Sequence, residues 1–119
     1  MKFSESLKKN RDFVYVYQNG KSYVNKYLVM YVLENNKSIN RLVISASKKI
    51  GNSVVRHRFS RLVRESYRLH ENIFNSGLDI VVVARKSAAS ASYAEIERAL
   101  LHLAKIHHIL KIFFYDEFI

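Results

Sequence analysis

Seven cationic side chains crowd residues 48–68: Lys48, Lys49, Arg56, Arg58, Arg61, Arg64 and Arg68, opposed by Glu65 alone. They supply six of the chain's ten net positive charges, so the charge is concentrated and is not a bulk property of the composition. The chemistry they offer is phosphate binding. A guanidinium presents a planar fork that meets phosphate bidentately, and a helix start adds unpaired amide donors and a positive dipole end. At about 100° per residue, His57, Arg61, Arg64 and Arg68 share one stripe of a helix, with Lys48, Lys49 and Asn52 at its entrance. A solvated helix face is the plain reading of most charge runs. Here only one acid interrupts the cations, arginine outnumbers lysine on the helix, and the lysine pair stands where the helix begins.

Other reactive side chains point to less. Phe13 and Tyr17 at i, i+4 suit the buried side of an amphipathic helix, and Tyr31 suits an apolar strand. A tyrosine hydroxyl needs a partner when buried, so a cleft wall serves Tyr31 equally well. Among the five histidines, His102, His107 and His108 have no i, i+4 pairing and no carboxylate at a ligand spacing, which argues against a protein metal site. His107 reads as a semi-buried packing residue, and Asp79 and Glu65 read as structural. There is no cysteine, so thiol chemistry is excluded. No nucleophile elbow, phosphate-binding glycine loop or paired-carboxylate constellation is present.

The elements that must hold these residues follow from periodicity. Residues 11–19 form a short helix that Asn10 can cap, with Gly20 at its end. Residues 26–34 form a strand with Tyr27, Val29, Tyr31 and Leu33 on one face and Leu28, Met30 and Val32 on the other. Turn residues 34–38 predict that residues 41–46 pair back antiparallel as a hairpin. Apolar Val55, Phe59, Leu62 and Val63, with Ser66, keep to one side of a helix over residues 53–72. Residues 78–84 read as a buried, parallel-type strand, which makes strand, helix and strand a crossover unit. Ser92 caps a last helix whose core face carries Ile96, Leu100, Leu103 and Leu110.

Length and a 49% hydrophobic content fit one domain over residues 1–119, with residues 1–7 and 112–119 as candidate tails. No apolar stretch approaches the roughly 18 residues of a membrane span, and Met1 to Leu7 lacks a secretory apolar run, so a cytoplasmic protein without a membrane partner is expected. The concentrated charge favours nucleic acid as partner.

The run Lys48-Lys49-Ile50-Gly51-Asn52-Ser53-Val54-Val55-Arg56-His57-Arg58-Phe59-Ser60-Arg61-Leu62-Val63-Arg64-Glu65 resembles the signature of the protein subunit of bacterial ribonuclease P. The likeness extends through residues 7–13, 20–31 and 79–86 and covers most of residues 7–110. The aromatic tail, residues 109–119, has no clear counterpart. The resemblance implies an α+β fold: a two-layer α/β sandwich like a ribosomal-protein domain, its mixed sheet containing a left-handed β-α-β crossover that carries the basic helix. Handedness statistics alone would favour the right-handed form.

It also implies an endoribonuclease whose catalytic site and Mg2+ belong to an RNA subunit, with no cofactor on the protein alone and no small-molecule substrate. The RNA subunit removes the 5′ leader of precursor tRNA. The protein binds the ribonuclease P RNA and the leader. On this resemblance Arg56, Arg58, Arg61 and Arg64, with Lys48, Lys49 and Asn52, contact RNA, and Arg68 extends their stripe. Phe13, Tyr17 and Tyr31 line a cleft for the single-stranded leader, and no residue of the chain is catalytic.

Two positions depart from the family's usual pattern. His57 stands where asparagine is usual, and Ser60 where a basic residue is usual. The missing cation at Ser60 removes one possible phosphate contact and predicts a weaker salt dependence. Two other classes are weighed. A ribosomal or general structured-RNA-binding protein would ignore a 5′ extension, and a self-sufficient nuclease built on His57 would cleave without an RNA subunit.

Overall fold

A computed structural model describes residues 4–6 and 10–111. In chain order it contains β1 (Ser4–Ser6), α1 (Asn10–Asn19), β2 (Lys21–Val24), β3 (Leu28–Glu34), β4 (Asn40–Ser45), α2 (Ser53–His70), β5 (Leu78–Ala84) and α3 (Tyr93–Ile106). Short 3-10 turns at Lys48–Ile50, Glu71–Ile73 and Lys86–Ser90 join them. The five strands make one mixed sheet in the order β1-β4-β5-β3-β2, the α+β architecture expected.

The expected hairpin does not form. β3 pairs antiparallel with β5 along its whole length, from Leu28↔Ala84 to Glu34↔Leu78. β4 pairs parallel with the other edge of β5, from Arg41↔Asp79 to Ser45↔Val83. The cause is β5 itself. Its first five residues, Leu78 to Val82, are all buried, so it gains most by lying between two strands. Crossing one strand spans roughly 10 Å, which the five residues 35–39 cover easily. Asn36 takes a positive φ of 59° in this loop, and the Asn35 amide donates to the Gly77 carbonyl at 2.9 Å. Asn40 then pins the junction: its Nδ2 donates to the Tyr67 hydroxyl and the Asn75 carbonyl, and its Oδ1 accepts from the Leu78 amide.

Two further boundaries differ from the periodicity. β3 opens at Leu28, and Tyr27 packs with the cluster on the face opposite Tyr31, its hydroxyl donating to Glu95 Oε2 at 2.5 Å. Leu110 is buried but lies beyond α3, bridged to Phe74. β2 is a fully exposed edge strand whose Lys-Ser-Tyr-Val sequence carries no clean alternation. Residues 4–6, expected within a tail, form β1 against β4. Residues 1–3, 7–9 and 112–119, and the capping side chain of Asn10, lie outside the described residues.

Helices cover both faces. Phe59, Val63 and Tyr67 of α2 and Ile96, Leu100 and Leu103 of α3 pack on Leu28, Met30, Leu42, Ile80 and Val82. Phe59, Val63, Ile96, Leu100 and Leu103 are the core positions that the 3.6-residue spacing predicts, and Tyr67 joins them as one it did not single out. On the other face Val16 of α1 sits on Val81, flanked by Phe13, Tyr17, Tyr31, Leu33, Val43 and Val83. Burying a side chain of this size contributes about 1.5–3 kcal/mol. α2 links the adjacent parallel strands β4 and β5, so the strand-helix-strand unit exists and presents its outer face to solvent.

Candidate nucleic-acid interface

The entrance to α2 is built by local capping. Ser47 Oγ accepts from the Lys49 amide and begins the Lys48–Ile50 turn, and the Gly51 amide closes that turn on the Lys48 carbonyl. Gly51 has φ of 154°, and a Cβ there would stand 2.9 Å from the Val55 side chain. Only glycine lets the chain pass this close to the first turn of α2. Asn52 is the N-cap, its Oδ1 accepting from the Val55 amide at 3.1 Å. Of this predicted phosphate ligand, the side-chain carbonyl is thus committed to the helix, and Nδ2 is the group left to donate. Lys48 and Lys49 are exposed beside it.

Along α2 the expected stripe is present, with internal differences. His57, Arg61, Arg64 and Arg68 are exposed, opposite buried Phe59, Val63 and Tyr67. Arg56 and Arg58, about 200° apart around the helix, flank the buried side and are half-buried. Arg56 Nε is buried and has no hydrogen-bond partner. No carboxylate of the described residues lies within ion-pair distance of Arg56, Arg58, Arg61 or Arg64. Arg68 differs: its Nη2 and Nε donate to Glu65 Oε1 and Oε2 at 2.6 and 3.1 Å. The Arg68 hydrogen bonds hold the Glu65 carboxyl below its ordinary range, and Glu65 raises Arg68 in turn. The free fork donors of the stripe therefore end at Arg64.

The three aromatic residues also meet. The Phe13 and Tyr17 rings are 4.8 Å apart, and Tyr17 lies 4.3 Å from Tyr31, each pair tilted. All three are half-buried over Val81 and Val83. Burial, and then the neighbouring Tyr31, pushes the Tyr17 phenol up, so it stays a neutral ring. Such a ladder offers stacking faces on an apolar floor. It lies on the α1 face of the sheet and the arginines lie on the α2 side, so an RNA touching both must pass around the sheet.

A polar relay fixes α1 on that sheet. Arg41 of β4 donates from Nε and Nη2 to Asp79 of β5 at 2.7 and 2.6 Å, and its Nη1 stands 3.4 Å from Asp12 of α1. Asn35 Nδ2 adds a third hydrogen bond to Asp79 at 2.9 Å. Asp79 is structural as expected, but Arg41 and Asp12 are partners that spacing does not reveal. They are 29 residues apart in sequence and only the sheet brings them together.

His107 is half-buried, its Nε2 at 2.9 Å from the Met30 carbonyl and its ring edge-on to Tyr23 at 4.8 Å. This is the packing role expected. Burial lowers its pKa against the opposing carbonyl. The Ser92 capping box with Glu95 is complete, and it holds the Glu95 carboxyl down to about 2. Among the described residues no three His, Cys, Asp or Glu side chains converge to hold a metal, and no helix is long and apolar enough to cross a membrane.

Comparison with known proteins completes the picture. A family model described as Ribonuclease P matches residues 1–108. The chain is 65% identical over 107 residues to the ribonuclease P protein component of Lachnoclostridium phytofermentans, covering 90% of this chain and 92% of that one. It is 50% identical over 105 residues to that of Alkaliphilus metalliredigens, covering 88% and 95%. Among solved structures, the ribonuclease P protein of Staphylococcus aureus superposes with a TM-score of 0.83 at 36% identity, covering 89% of this chain and 97% of that one. That of Thermotoga maritima gives 0.79 at 31% identity, covering 85% and 96%.

Proposed function

The chain belongs to the bacterial ribonuclease P protein family, and from that premise we propose that it works in the cytoplasm as the RNA-binding subunit of a precursor-tRNA endonuclease. The observation that carries the reading is the set of arginines on α2, Arg56, Arg58, Arg61 and Arg64, without carboxylate partners among the described residues. Unpaired guanidinium forks on one helix repel each other and cost stability unless a polyanion compensates them. In this reading they and Lys48 and Lys49 hold the catalytic RNA, and Phe13, Tyr17 and Tyr31 stack bases of the single-stranded leader. Each stacked base contributes about 1–3 kcal/mol.

Cleavage of the leader phosphodiester is assigned to the RNA subunit, together with the Mg2+ it requires. The protein's part is to neutralise phosphates where the two RNAs meet. That lowers their mutual repulsion and lets both bind at lower magnesium.

The test is single-turnover cleavage of precursor tRNA by a bacterial ribonuclease P RNA at low magnesium, with and without the protein, on long-leader and one-nucleotide-leader substrates. Leader-dependent stimulation, with no cleavage by protein alone, is expected. Tight RNA binding without stimulation would leave a general structured-RNA binder, and cleavage by protein alone would overturn the division of labour.

A further inference from the structure

Glu65 is the one acid inside the basic segment, and it lies in the wall of a hollow of about 530 Å³ lined by Arg58, Arg61, Leu62, Arg64 and Tyr93. Tyr93, the first residue of α3, is half-buried. Its hydroxyl donates to Glu97 Oε2 at 3.1 Å, one turn further along α3, which restrains the ring on that helix. The hollow thus has an apolar floor, three guanidinium groups at its rim, and a carboxylate whose two oxygens each take one hydrogen bond from Arg68. Each oxygen keeps a further lone pair.

This is a poor cradle for a phosphate, because a phosphate gains nothing from Leu62 and Tyr93 and is repelled by Glu65. It suits the edge and face of a base. The geometry points to a nucleobase site: one unstacked, amino-bearing base of the ribonuclease P RNA (adenine, guanine or cytosine) lies on Tyr93, its exocyclic amine donates to Glu65, and its flanking phosphates meet Arg58, Arg61 and Arg64. The inference rests on the RNA-binding reading above and assigns Tyr93 and Glu65 a part in it. Uracil, with carbonyls where the others carry an amine, is disfavoured.

Binding of the full-length protein to a transcribed bacterial ribonuclease P RNA across a salt series tests it. Tyr93→Ala is expected to weaken binding about 5- to 160-fold while the slope of log K against log salt stays unchanged, since no phosphate contact is lost. Tyr93→Leu preserves the apolar packing without the stacking face and should behave alike, and Tyr93→Phe should bind within about threefold of the parent. Glu65→Ala, made in an Arg68→Ala background so that no arginine fork is freed, gives the sharpest contrast. A phosphate-only surface binds more tightly when its one acid is removed, whereas the base site predicts weaker binding. Chemical probing should show one adenine, guanine or cytosine protected by the parent protein and exposed again with Tyr93→Leu.

Unchanged affinity for both Tyr93→Ala and Tyr93→Leu, or tighter binding when Glu65→Ala is added to Arg68→Ala, overturns the base site and leaves the subunit reading standing. Failure of the parent protein to bind the RNA overturns both.

Discussion

Replacing Asp79 with alanine tests whether the Arg41 relay holds α1 on the sheet. Asp79 is 3% exposed and receives two hydrogen bonds from Arg41 and one from Asn35. Its removal takes away both short hydrogen bonds of a guanidinium whose side chain is 19% exposed, while the longer, 3.4 Å contact to Asp12 remains. Breaking a buried pair on one side costs about 3–5 kcal/mol. The residual Asp12 pairing and partial water access place the expected loss near 3. For 119 residues, an unfolding entropy of about 2.1 cal/mol/K per residue converts 3 kcal/mol to a fall in Tm of roughly 12 °C.

Urea unfolding and thermal melts followed by circular dichroism read the loss directly. The double variant Asp79→Leu with Arg41→Met removes both charges and should recover at least half of it, because no ion is left stranded. Since Asp12 precedes Phe13, Asp79→Ala should also reduce the preference for leader-bearing substrate below the melting range. A loss under about 1 kcal/mol, or a double variant as unstable as the sum of the singles, would refute the relay.

On α2, Arg64→Ala should weaken binding of ribonuclease P RNA and lower the salt slope by about 0.7–0.9. Arg68→Ala should do much less, because Glu65 already occupies that fork. Phe13→Ala and Tyr17→Ala should each erase about 5- to 160-fold of the advantage of a long leader over a one-nucleotide leader, leaving affinity for mature tRNA unchanged, as paired binding assays would show. For His107 the sign follows from a folded pKa below the ordinary 6.5: the unfolded chain takes up the proton first. Stability is therefore full above about pH 6.5 and declines as pH falls below it. His107→Gln should flatten that decline in urea titrations between pH 7.5 and 5.

The helices were legible because their information is local. The alternation of Phe59 and Val63 with exposed cations and the Ser92 cap act within about one turn, and each appears in the structure as its spacing predicts; the Asn52 cap and the close Gly51 approach are equally local but were found only in the structure. The meeting of Phe13 with Tyr17 is local in the same sense. Pairing of strands is not local. A turn sequence after β3 permits a hairpin, but β5, whose Asp79 pairs with Arg41 from 38 residues away, competes for the same edge and wins by burying its apolar run between β3 and β4. An exposed edge strand such as β2 leaves no periodic trace, because nothing selects its outward residues.

The candidate interface divides along the same line. Sequence by itself determined a cationic helix, its buried side and the family to which the arginines belong, because charge type and 3.6-residue spacing are written in consecutive residues. Which of those charges are free is also settled within α2, where Arg68 pairs with Glu65 three residues before it and Arg61 and Arg64 stay open. Tertiary structure placed Tyr31 beside Tyr17, Asp12 beside Arg41 and Tyr93 beside Arg58. Those neighbours come from different elements, and contacts between elements follow from how competing apolar faces are buried, which no single segment encodes.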